Sequence, residues 1–352
     1  MSNSLRILII ALTLQFTVGT LCAQDLKQLV ARLESEVPRL MQEGHVPGLS
    51  MVLIRENRIA WKGCFGVKVA GEEPKIDHET VFEAASMSKP LFSYAVLKLV
   101  EDAEFDLDRP LDAYLPEPYV PDQPLAKRIT GRMVMLHRTG LPNWRKGGWR
   151  GGGPLPVEKE PDTGFGYSGE GYLYLQTAVE QLTNQPVTAW MESSLLAPLN
   201  MTRSSYQWQE SLESNFAGGH NNQRKFNTGR RYYKQGNAAY SLYTTPTDYA
   251  RFLIEMMKHD RSAKHSLSAK TLESMTTLQV TPEDGKPRSR RSLGWVVDSE
   301  RDGGWVTHSG SNGSGFQCNS RFHMGRQSGS VIMTTSSNGR SVWEAILKII
   351  DA

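Results

Sequence analysis

The stretch VFEAASMSK, residues 81–89, ends in the only S-x-x-K motif of the chain, which is formed by Ser86 and Lys89. An apolar run precedes the motif, and apolar residues at helical spacing follow it, so the motif is expected to open a helix. Positions i and i+3 of a helix lie on one face, with Cβ atoms about 5–6 Å apart. The sequence therefore predicts that the Lys89 amine lies beside the Ser86 hydroxyl.

Taken alone, this motif also has ordinary explanations. A serine before a helix is most often an N-cap, and a lysine is most often solvated. Two further motifs, Tyr167-Ser168-Gly169 and His308-Ser309-Gly310, follow at widely separated positions. Their order and separation favour a catalytic interpretation over coincidence.

The chemistry of a serine nucleophile requires residues of these types. A serine hydroxyl attacks only when a nearby base takes its proton, and a lysine serves as that base only when its pKa is depressed. Tyr167 supplies a phenol that can pass a proton between Ser86, Lys89 and a leaving group. The backbone N–H of Ser86, at a helix start, is an unpaired donor of the kind that an oxyanion site needs. The chain is therefore interpreted as a serine hydrolase.

At these residues the sequence resembles the β-lactamase and penicillin-binding superfamily, whose S-x-x-K motif carries the nucleophile. It is most similar to the class C branch, with its D,D-peptidases, D-amino-acid peptidases and esterases. The resemblance runs from about residue 46 to 338. Further matches are Leu136–Pro142, Pro198–Met201, Leu293–Trp295 and Gly313–Phe316.

The resemblance implies a role for each motif residue. Ser86 is the expected acylated nucleophile and Lys89 its main proton acceptor. Tyr167 corresponds to the tyrosine of the family's Y-x-N motif, and His308 to the first position of its third motif. The backbone N–H groups of Ser86 and Ser311 are the expected oxyanion hole.

Two departures from the family pattern bear on the substrate. Gly169 stands where Y-x-N has an asparagine that grips the substrate amide. His308 stands where many β-lactamases have a lysine, so a permanent positive charge is missing there. We hypothesise that Asn312 supplies a replacement amide, and we predict that Gly169, Gly310 and Asn312 contact the substrate.

Composition fits a soluble globular enzyme. The chain has 352 residues, of which 39% are hydrophobic and 22% charged, enough for a large core. Its net charge of +3 is too small to indicate nucleic acid or an anionic membrane surface as a partner. A small-molecule or peptide acyl substrate is the expected partner, and a monomer is the expected state.

The N-terminal residues have the pattern of a signal peptide. Arg6 precedes an apolar stretch at residues 7–21, and Ala23 offers a cleavage point, so residues 1–23 are predicted to be removed on export. The apolar stretch is shorter than the roughly 20 residues of a membrane span. An uncleaved anchor helix and a lipoprotein modified at Cys22 remain alternatives. Secretion or a periplasmic location is the favoured interpretation.

Cysteine and histidine usage indicates neither a disulfide nor a metal. Cleavage would leave Cys64 and Cys318, and the sheet order implied by the resemblance places other strands between them, so both are predicted to be free, buried thiols. The chain has no H-E-x-x-H motif and no paired C-x-x-C motif. No cofactor and no metal site are predicted.

The coarse pattern predicts an α+β fold. An antiparallel sheet is assembled from both chain ends and flanked by helices, with a mostly helical insert. Within a hydrolase domain at 24–352, the α/β part is expected at about 24–105 and 266–352, and the insert at about 106–265. The predicted strands cover 48–54, 59–69, 293–297, 305–308, 315–322 and 328–336, and the predicted helices include 26–41, 171–182, 247–257 and 342–350.

Three loops are candidates for shaping a substrate cleft. Residues 144–153 are either a lid or a mobile surface loop. Residues 219–235 mix basic and aromatic side chains, which favours a cleft rim for anionic ligands over nucleic acid. Residues 281–291 are interpreted as a charged, solvated connector.

The resulting prediction is an exported serine hydrolase that cleaves an amide or ester through a Ser86 acyl-enzyme. Its candidate substrates are D-amino-acid peptides, small esters and β-lactams, with strong β-lactamase activity least favoured because of Gly169. The alternatives are a penicillin sensor with slow turnover and a non-catalytic binding protein on the same fold.

Overall fold

The computed structural model describes residues 24–148, 152–227, 232–280, 290–298 and 304–352. The proposed signal peptide at 1–23 lies outside these ranges. A central sheet has six strands in the order β2-β1-β8-β7-β6-β5, and every neighbouring pair is antiparallel. Its strands are β1 (Gly48–Arg55), β2 (Arg58–Gly66), β5 (Val296–Asp298), β6 (Trp305–Gly310), β7 (Gln317–His323) and β8 (Ser328–Thr334). A separate pair consists of β3 (Phe82–Glu83) and β4 (Tyr243–Thr244).

Helices cover both faces of the sheet and fill the middle of the chain. The helices are α1 (24–43), α2 (Ser88–Glu101), α3 (Gly131–Met135), α4 (Gly169–Thr183), α5 (Val187–Met191), α6 (Pro246–Met257), α7 (Ala269–Thr276) and α8 (Gly339–Asp351). Shorter 3-10 turns lie at Ala85–Met87, Leu111–Tyr114, Ala126–Arg128 and Glu210–Asn215, and a π turn lies at Glu192–Leu196. None of the described helices is long and apolar enough to cross a membrane.

The two ends of the chain meet in the middle of the sheet. Strand β1 pairs with β8 in a register that sets Leu49 opposite Thr334. The β1–β2 hairpin turns at Glu56 and Asn57, whose φ angles of 49° and 55° are those of a tight I′ hairpin turn. The prediction of a sheet built from both chain ends, with the helical region between them, is confirmed.

Apolar side chains on the two faces of the sheet belong to two separate cores. On one face, Leu33 and Val37 of α1 and Ile346 of α8 pack against β1 and β8. On the other face lies a larger core that includes Leu91, Phe92 and much of the helical region. The larger core holds α2 in place, and α2 carries the S-x-x-K motif.

Two predictions about local structure were wrong. The strand expected at 293–297 begins only at Val296, because the chain first turns at Gly294, which has φ of 88° and lies against Ser93. Residues 281–289 of the connector expected to be solvated at 281–291 lie outside the described residues, but the prediction is wrong at its end, since Arg291 is 5% exposed.

The prediction that Cys64 and Cys318 are free thiols is correct, but the prediction that both are buried is wrong for Cys64. Cys64 in β2 and Cys318 in β7 are both free, and β1 and β8 lie between their strands. Cys318 is buried as expected, but Cys64 is half-buried, with its Sγ 3.0 Å from Nδ1 of His78.

Candidate active site

Ser86 lies in a tight turn that packs directly against the sheet. The turn Ala85–Met87 precedes α2, and Ala85 has a φ of 50°, a left-handed conformation that is unfavourable for alanine. Strand β6 approaches so closely that a β-carbon on Gly310 would lie 2.0 Å from the carbonyl oxygen of Ala84. Glycine at 310 is therefore needed to bring the end of β6, and Ser311 after it, to the nucleophile.

Lys89 lies on the first turn of α2 with its amine at Ser86, as the i, i+3 spacing predicted. Its Nζ donates to Ser86 Oγ at 3.4 Å and to the carbonyl oxygen of Ala239 at 2.7 Å. The side chain is 1% exposed, and no carboxylate of the described residues pairs with it. Burial, followed by the charge of Arg291, lowers the pKa of Lys89, although Tyr167 acts in the opposite direction.

Tyr167 completes a compact group of three around the serine hydroxyl. Its phenol oxygen is hydrogen-bonded to Ser86 Oγ at 2.9 Å, and Lys89 Nζ lies 4.8 Å from the centre of its ring. Burial alone would raise the pKa of Tyr167. Lys89, the hydrogen bond to Ser86 and Arg291 outweigh burial and lower that pKa. Both candidate bases are therefore biased toward the form that accepts a proton.

The segment before α4 fixes the position of Tyr167. Ser168 is the N-cap of α4, and its Oγ accepts a hydrogen bond from the Gly171 N–H at 2.9 Å. The Ser168 N–H donates to Nδ1 of the buried His137 at 3.1 Å, and the His137 ring lies 4.3 Å from the Tyr167 ring. Because Nδ1 accepts this bond, the proton of the neutral imidazole is on Nε2.

His308 lies behind the cavity as a neutral imidazole. Its Nδ1 is 2.8 Å from the carbonyl oxygen of Ser309, so Nδ1 carries the proton, and its Nε2 is buried without a hydrogen-bond partner. Burial, followed by the charges of Arg291 and Lys89, lowers the pKa of His308 well below its usual value. His308 is 4% exposed and makes no hydrogen bond to Ser86, Lys89 or Tyr167 within the described part of the chain.

A cavity of about 220 Å³ opens at Ser86. It brings together five of the site residues selected from the sequence, one residue of the predicted cleft loop 144–153, and three residues that the sequence did not indicate. The predicted site residues are Ser86, Lys89, Tyr167, Ser311 and Asn312, the loop residue is Trp144, and the others are Asn143, Ala239 and Tyr240. His308, Gly169 and Gly310 do not line this cavity.

Asn312 lies on the cavity wall, but its amide group is engaged within the protein. Its Nδ2 donates to the Tyr233 hydroxyl at 3.0 Å, to the Tyr240 carbonyl oxygen at 3.2 Å and to the buried Glu83 carboxylate at 3.4 Å. Ser314 Oγ also donates to Glu83, at 2.9 Å. This network fixes the loop after β6, so the hypothesis that Asn312 offers a free replacement amide is wrong for Nδ2.

Trp144 explains why a glycine stands at position 169. A β-carbon on Gly169 would lie 2.3 Å from Cζ2 of the Trp144 indole, which occupies the space of the missing side chain. The Trp144 and Tyr240 rings meet edge to face at 5.5 Å, forming one aromatic wall. Arg145 next to Trp144 pairs with the buried Glu170 of α4, which holds this part of the loop in place.

Asn143 is a second asparagine that lines the cavity. Its Oδ1 accepts a hydrogen bond from the Gly169 N–H at 2.9 Å, and its carbonyl oxygen accepts one from the Glu170 N–H at 2.9 Å. Its Nδ2 donates to none of the described residues, and the residue lines the cavity that reaches Ser86. Trp144 begins the loop 144–153 that the sequence indicated, whereas the only sequence signal for Asn143 was its place directly after the Leu136–Pro142 match.

The arrangement places two groups that can accept a proton next to the Ser86 hydroxyl. Lys89 and Tyr167 lie within reach of the Ser86 proton, and the chain at Ser86 and Ser311 borders the same small cavity. Within the described ranges, no group of three histidine, cysteine, aspartate or glutamate residues is arranged to hold a metal ion.

Comparison with known proteins shows the family to which the chain belongs. The Beta-lactamase family model matches residues 33–349. Protein flp of Staphylococcus aureus (strain MRSA252) is 22% identical over 303 residues, and the match covers 79% of this chain and 58% of that protein. The chain thus spans little more than half the length of this relative.

An esterase and a solved carboxypeptidase structure are also similar. Esterase EstB of Burkholderia gladioli is 26% identical over 205 residues, which cover 50% of this chain and 51% of the esterase. The structure of D-alanine carboxypeptidase AmpC from Burkholderia cenocepacia superposes with a TM-score of 0.74 at 19% identity, covering 93% of this chain and 99% of that one. With the family model matching most of its length, this chain belongs to the β-lactamase family.

Proposed function

We propose that the protein is an exported serine hydrolase that cleaves small esters or amides through an acyl-enzyme on Ser86. The observation that carries this proposal is the hydrogen bond of 2.9 Å between Ser86 Oγ and the Tyr167 phenol, with the Lys89 amine 3.4 Å from the same oxygen. A nucleophile with two proton acceptors within reach is the arrangement that nucleophilic catalysis requires.

The geometry supports a two-step reaction. Ser86 Oγ attacks the substrate carbonyl carbon, and its proton passes to Tyr167 or Lys89. The negative charge on the former carbonyl oxygen is held by backbone N–H groups of Ser86 and Ser311. The leaving group departs with the proton returned by the same pair, and water then attacks the acyl group, again losing a proton to them, to restore free Ser86.

The cavity favours a compact substrate with a flat or apolar acyl group. Trp144 and Tyr240 form an aromatic wall where an asparagine of the Y-x-N type would otherwise grip an amide. Asn143 offers one amide donor at the cavity edge. We therefore propose that esters, and peptides with a small acyl side, react faster than β-lactams.

The proposal draws further support from the relatives. Esterase EstB and a D-alanine carboxypeptidase bear names that fit ester and D-amino-acid peptide substrates. Export remains part of the proposal and rests on the sequence of residues 1–23. Edman sequencing of the protein from a periplasmic fraction tests it, with Gln24 expected as the first residue.

Time-resolved intact mass spectrometry of the mature protein tests the activity. Wild type and Ser86→Ala are mixed separately with p-nitrophenyl acetate, nitrocefin and a D-alanyl-D-alanine peptide. Adducts that appear and clear only in the wild type support a hydrolase. An adduct that persists for hours supports a slow-turnover sensor. The absence of both a Ser86-dependent adduct and any hydrolysis product, with every donor, contradicts the proposal.

A further inference from the structure

Arg291 is a buried cation beside the active site, and none of the described residues supplies a counterion for it. Its side chain is 5% exposed, and its Nε atom has no hydrogen-bond partner. The guanidinium carbon lies 5.1 Å from the centre of the Phe165 ring and 5.8 Å from that of Tyr167. Within the described part of the chain, no carboxylate interacts with this guanidinium.

Such a group is costly to bury, and arginine does not escape the cost by losing its proton. A buried unpaired charge destabilises a protein by several kcal/mol unless something nearby compensates it, and arginine stays charged in proteins. We therefore expect a buried arginine of this kind only where its charge has a function. The neighbouring groups therefore decide what the charge does.

Among the described titratable groups around the guanidinium, one is a candidate to carry a negative charge. Lys89 is a second cation or a neutral amine, and His137 and His308 are neutral because burial lowers their pKa values well below the usual range. Burial raises the pKa of Tyr172, whose hydroxyl is hydrogen-bonded to Ser93. Tyr167 is the one phenol of this group whose pKa is lowered, with Arg291 among the causes.

We propose that Arg291 is a positioning residue for catalysis. Its permanent charge lies beside the Tyr167 ring in the interior, where it disfavours protonation of Tyr167 and Lys89. It thereby keeps this pair ready to deprotonate Ser86. The inference rests on the proposed function. Arg291 also supplies the permanent positive charge that His308, as a neutral imidazole, does not provide. It lies in the segment before β5, where the sequence indicated only a solvated connector.

The sign of the effect is the same for both members of the pair. A nearby cation stabilises the phenolate of Tyr167 and disfavours the ammonium form of Lys89, so it lowers both pKa values. Removing the charge raises both, and the pair then keeps its proton to higher pH. The acid limb of the pH profile of kcat/KM is therefore expected to move to higher pH when Arg291 is neutralised.

Direct titration of Tyr167 provides a readout that does not depend on turnover. The protein is labelled with tyrosine that carries ¹³C at the ζ position, and Tyr167→Phe assigns the resonance. In wild type, the Tyr167 resonance is expected to titrate at lower pH than in Arg291→Met, with Arg291→Lys closer to wild type. Identical titration in all three proteins overturns the proposal, even if Arg291→Met is less stable.

Chemical rescue separates charge from packing. Arg291→Ala is expected to lower kcat/KM at pH 7 about tenfold and to move the acid limb to higher pH. Millimolar guanidinium should restore both, whereas urea, which is similar in shape but uncharged, should restore neither. Equal rescue by both compounds, or a loss of activity without any shift of the limb, shows that Arg291 only packs.

The two proposals fail in different ways. If no donor acylates Ser86, the proposed function is wrong, while the titration of Tyr167 still reports whether Arg291 controls it. If Ser86 is acylated and cleared normally in Arg291→Met, with an unchanged pH profile, the hydrolase stands and the role of Arg291 is wrong.

Discussion

The two sides of the cavity differ in how their residues are held in place. On the Ser86 side, the nucleophile and Lys89 are three residues apart on one helical turn, so local geometry sets their 3.4 Å contact. On the opposite side, Trp144, Gly169 and Tyr240 come from distant parts of the chain and meet only in the folded protein. Local spacing thus positions the nucleophile and its lysine, whereas long-range packing brings Tyr167 to them and builds the aromatic wall.

This difference predicts two kinds of mutational response. Changes on the Ser86 side should remove catalysis and leave the substrate preference of the remaining activity unchanged. Changes on the aromatic side should alter which acyl donor reacts fastest while the chemical step survives.

The largest effect is expected for Lys89→Met. Removing a proton acceptor from the Ser86 hydroxyl should lower kcat/KM about 10³-fold for every donor. Lys98→Met, on the same helix α2, is the matched control, because Lys98 pairs with Asp102 far from the cavity. Steady-state kinetics with p-nitrophenyl acetate measure both variants. Loss of activity toward one donor alone would contradict the division between the two sides.

A smaller loss, about 10²-fold, is expected for Tyr167→Phe, since Lys89 remains as a base. Because the pKa of Tyr167 is lowered in the wild type, the variant should also lose activity at the lower end of the pH range in which the wild type is active. Tyr232→Phe, at an exposed tyrosine, is the control. A pH profile that keeps the wild-type acid limb in Tyr167→Phe would show that the phenol is not a base.

On the aromatic side, Gly169→Asn should destabilise the protein by about 1–3 kcal/mol, since its β-carbon would overlap the Trp144 indole. The double variant Trp144→Ala, Gly169→Asn should recover part of that loss and should increase acylation by nitrocefin relative to p-nitrophenyl acetate. Urea denaturation of the wild type, the two single variants and the double variant measures the coupling between the two positions. The ratio of the two acylation rates measures the donor preference. Strictly additive stabilities would show that the two positions do not interact.

The smallest effect is expected outside the cavity, at Cys64. Cys64→Ala removes a contact with His78 and should cost about 1 kcal/mol, with no change in kcat/KM. Urea denaturation and p-nitrophenyl acetate hydrolysis measure it. Any change of donor preference in this variant would mean that β2 influences the cavity.

Whether a feature could be predicted from the sequence depends on how far apart in the chain its contacting residues lie. The pattern of apolar residues predicted the strands at 48–54 and 59–69, which form the β1–β2 hairpin, and the helix after Ser86, since these are set by residues close in the chain. The burial of Arg291 was missed, because polar neighbours in the sequence indicate solvent and only the folded chain places its guanidinium against Phe165 and Tyr167.

The substrate side of the site was the least predictable. The sequence showed that Gly169 lacks an amide and suggested Asn312 in its place. In the structure, Asn312 Nδ2 is hydrogen-bonded to Tyr233, whereas Asn143 lines the cavity and its Nδ2 donates to none of the described residues. Two asparagines with the same chemistry are told apart only by their hydrogen-bond partners, which depend on tertiary contacts.

Locating the covalent bond decides whether Ser86 carries the acyl group. Wild type and Ser86→Ala are quenched with acid within seconds of adding an acyl donor, digested, and sequenced by tandem mass spectrometry. We expect one acylated peptide, modified at Ser86 and missing from the variant. An acyl group on any other residue, or equal labelling of both proteins, would contradict the role of Ser86 as the nucleophile.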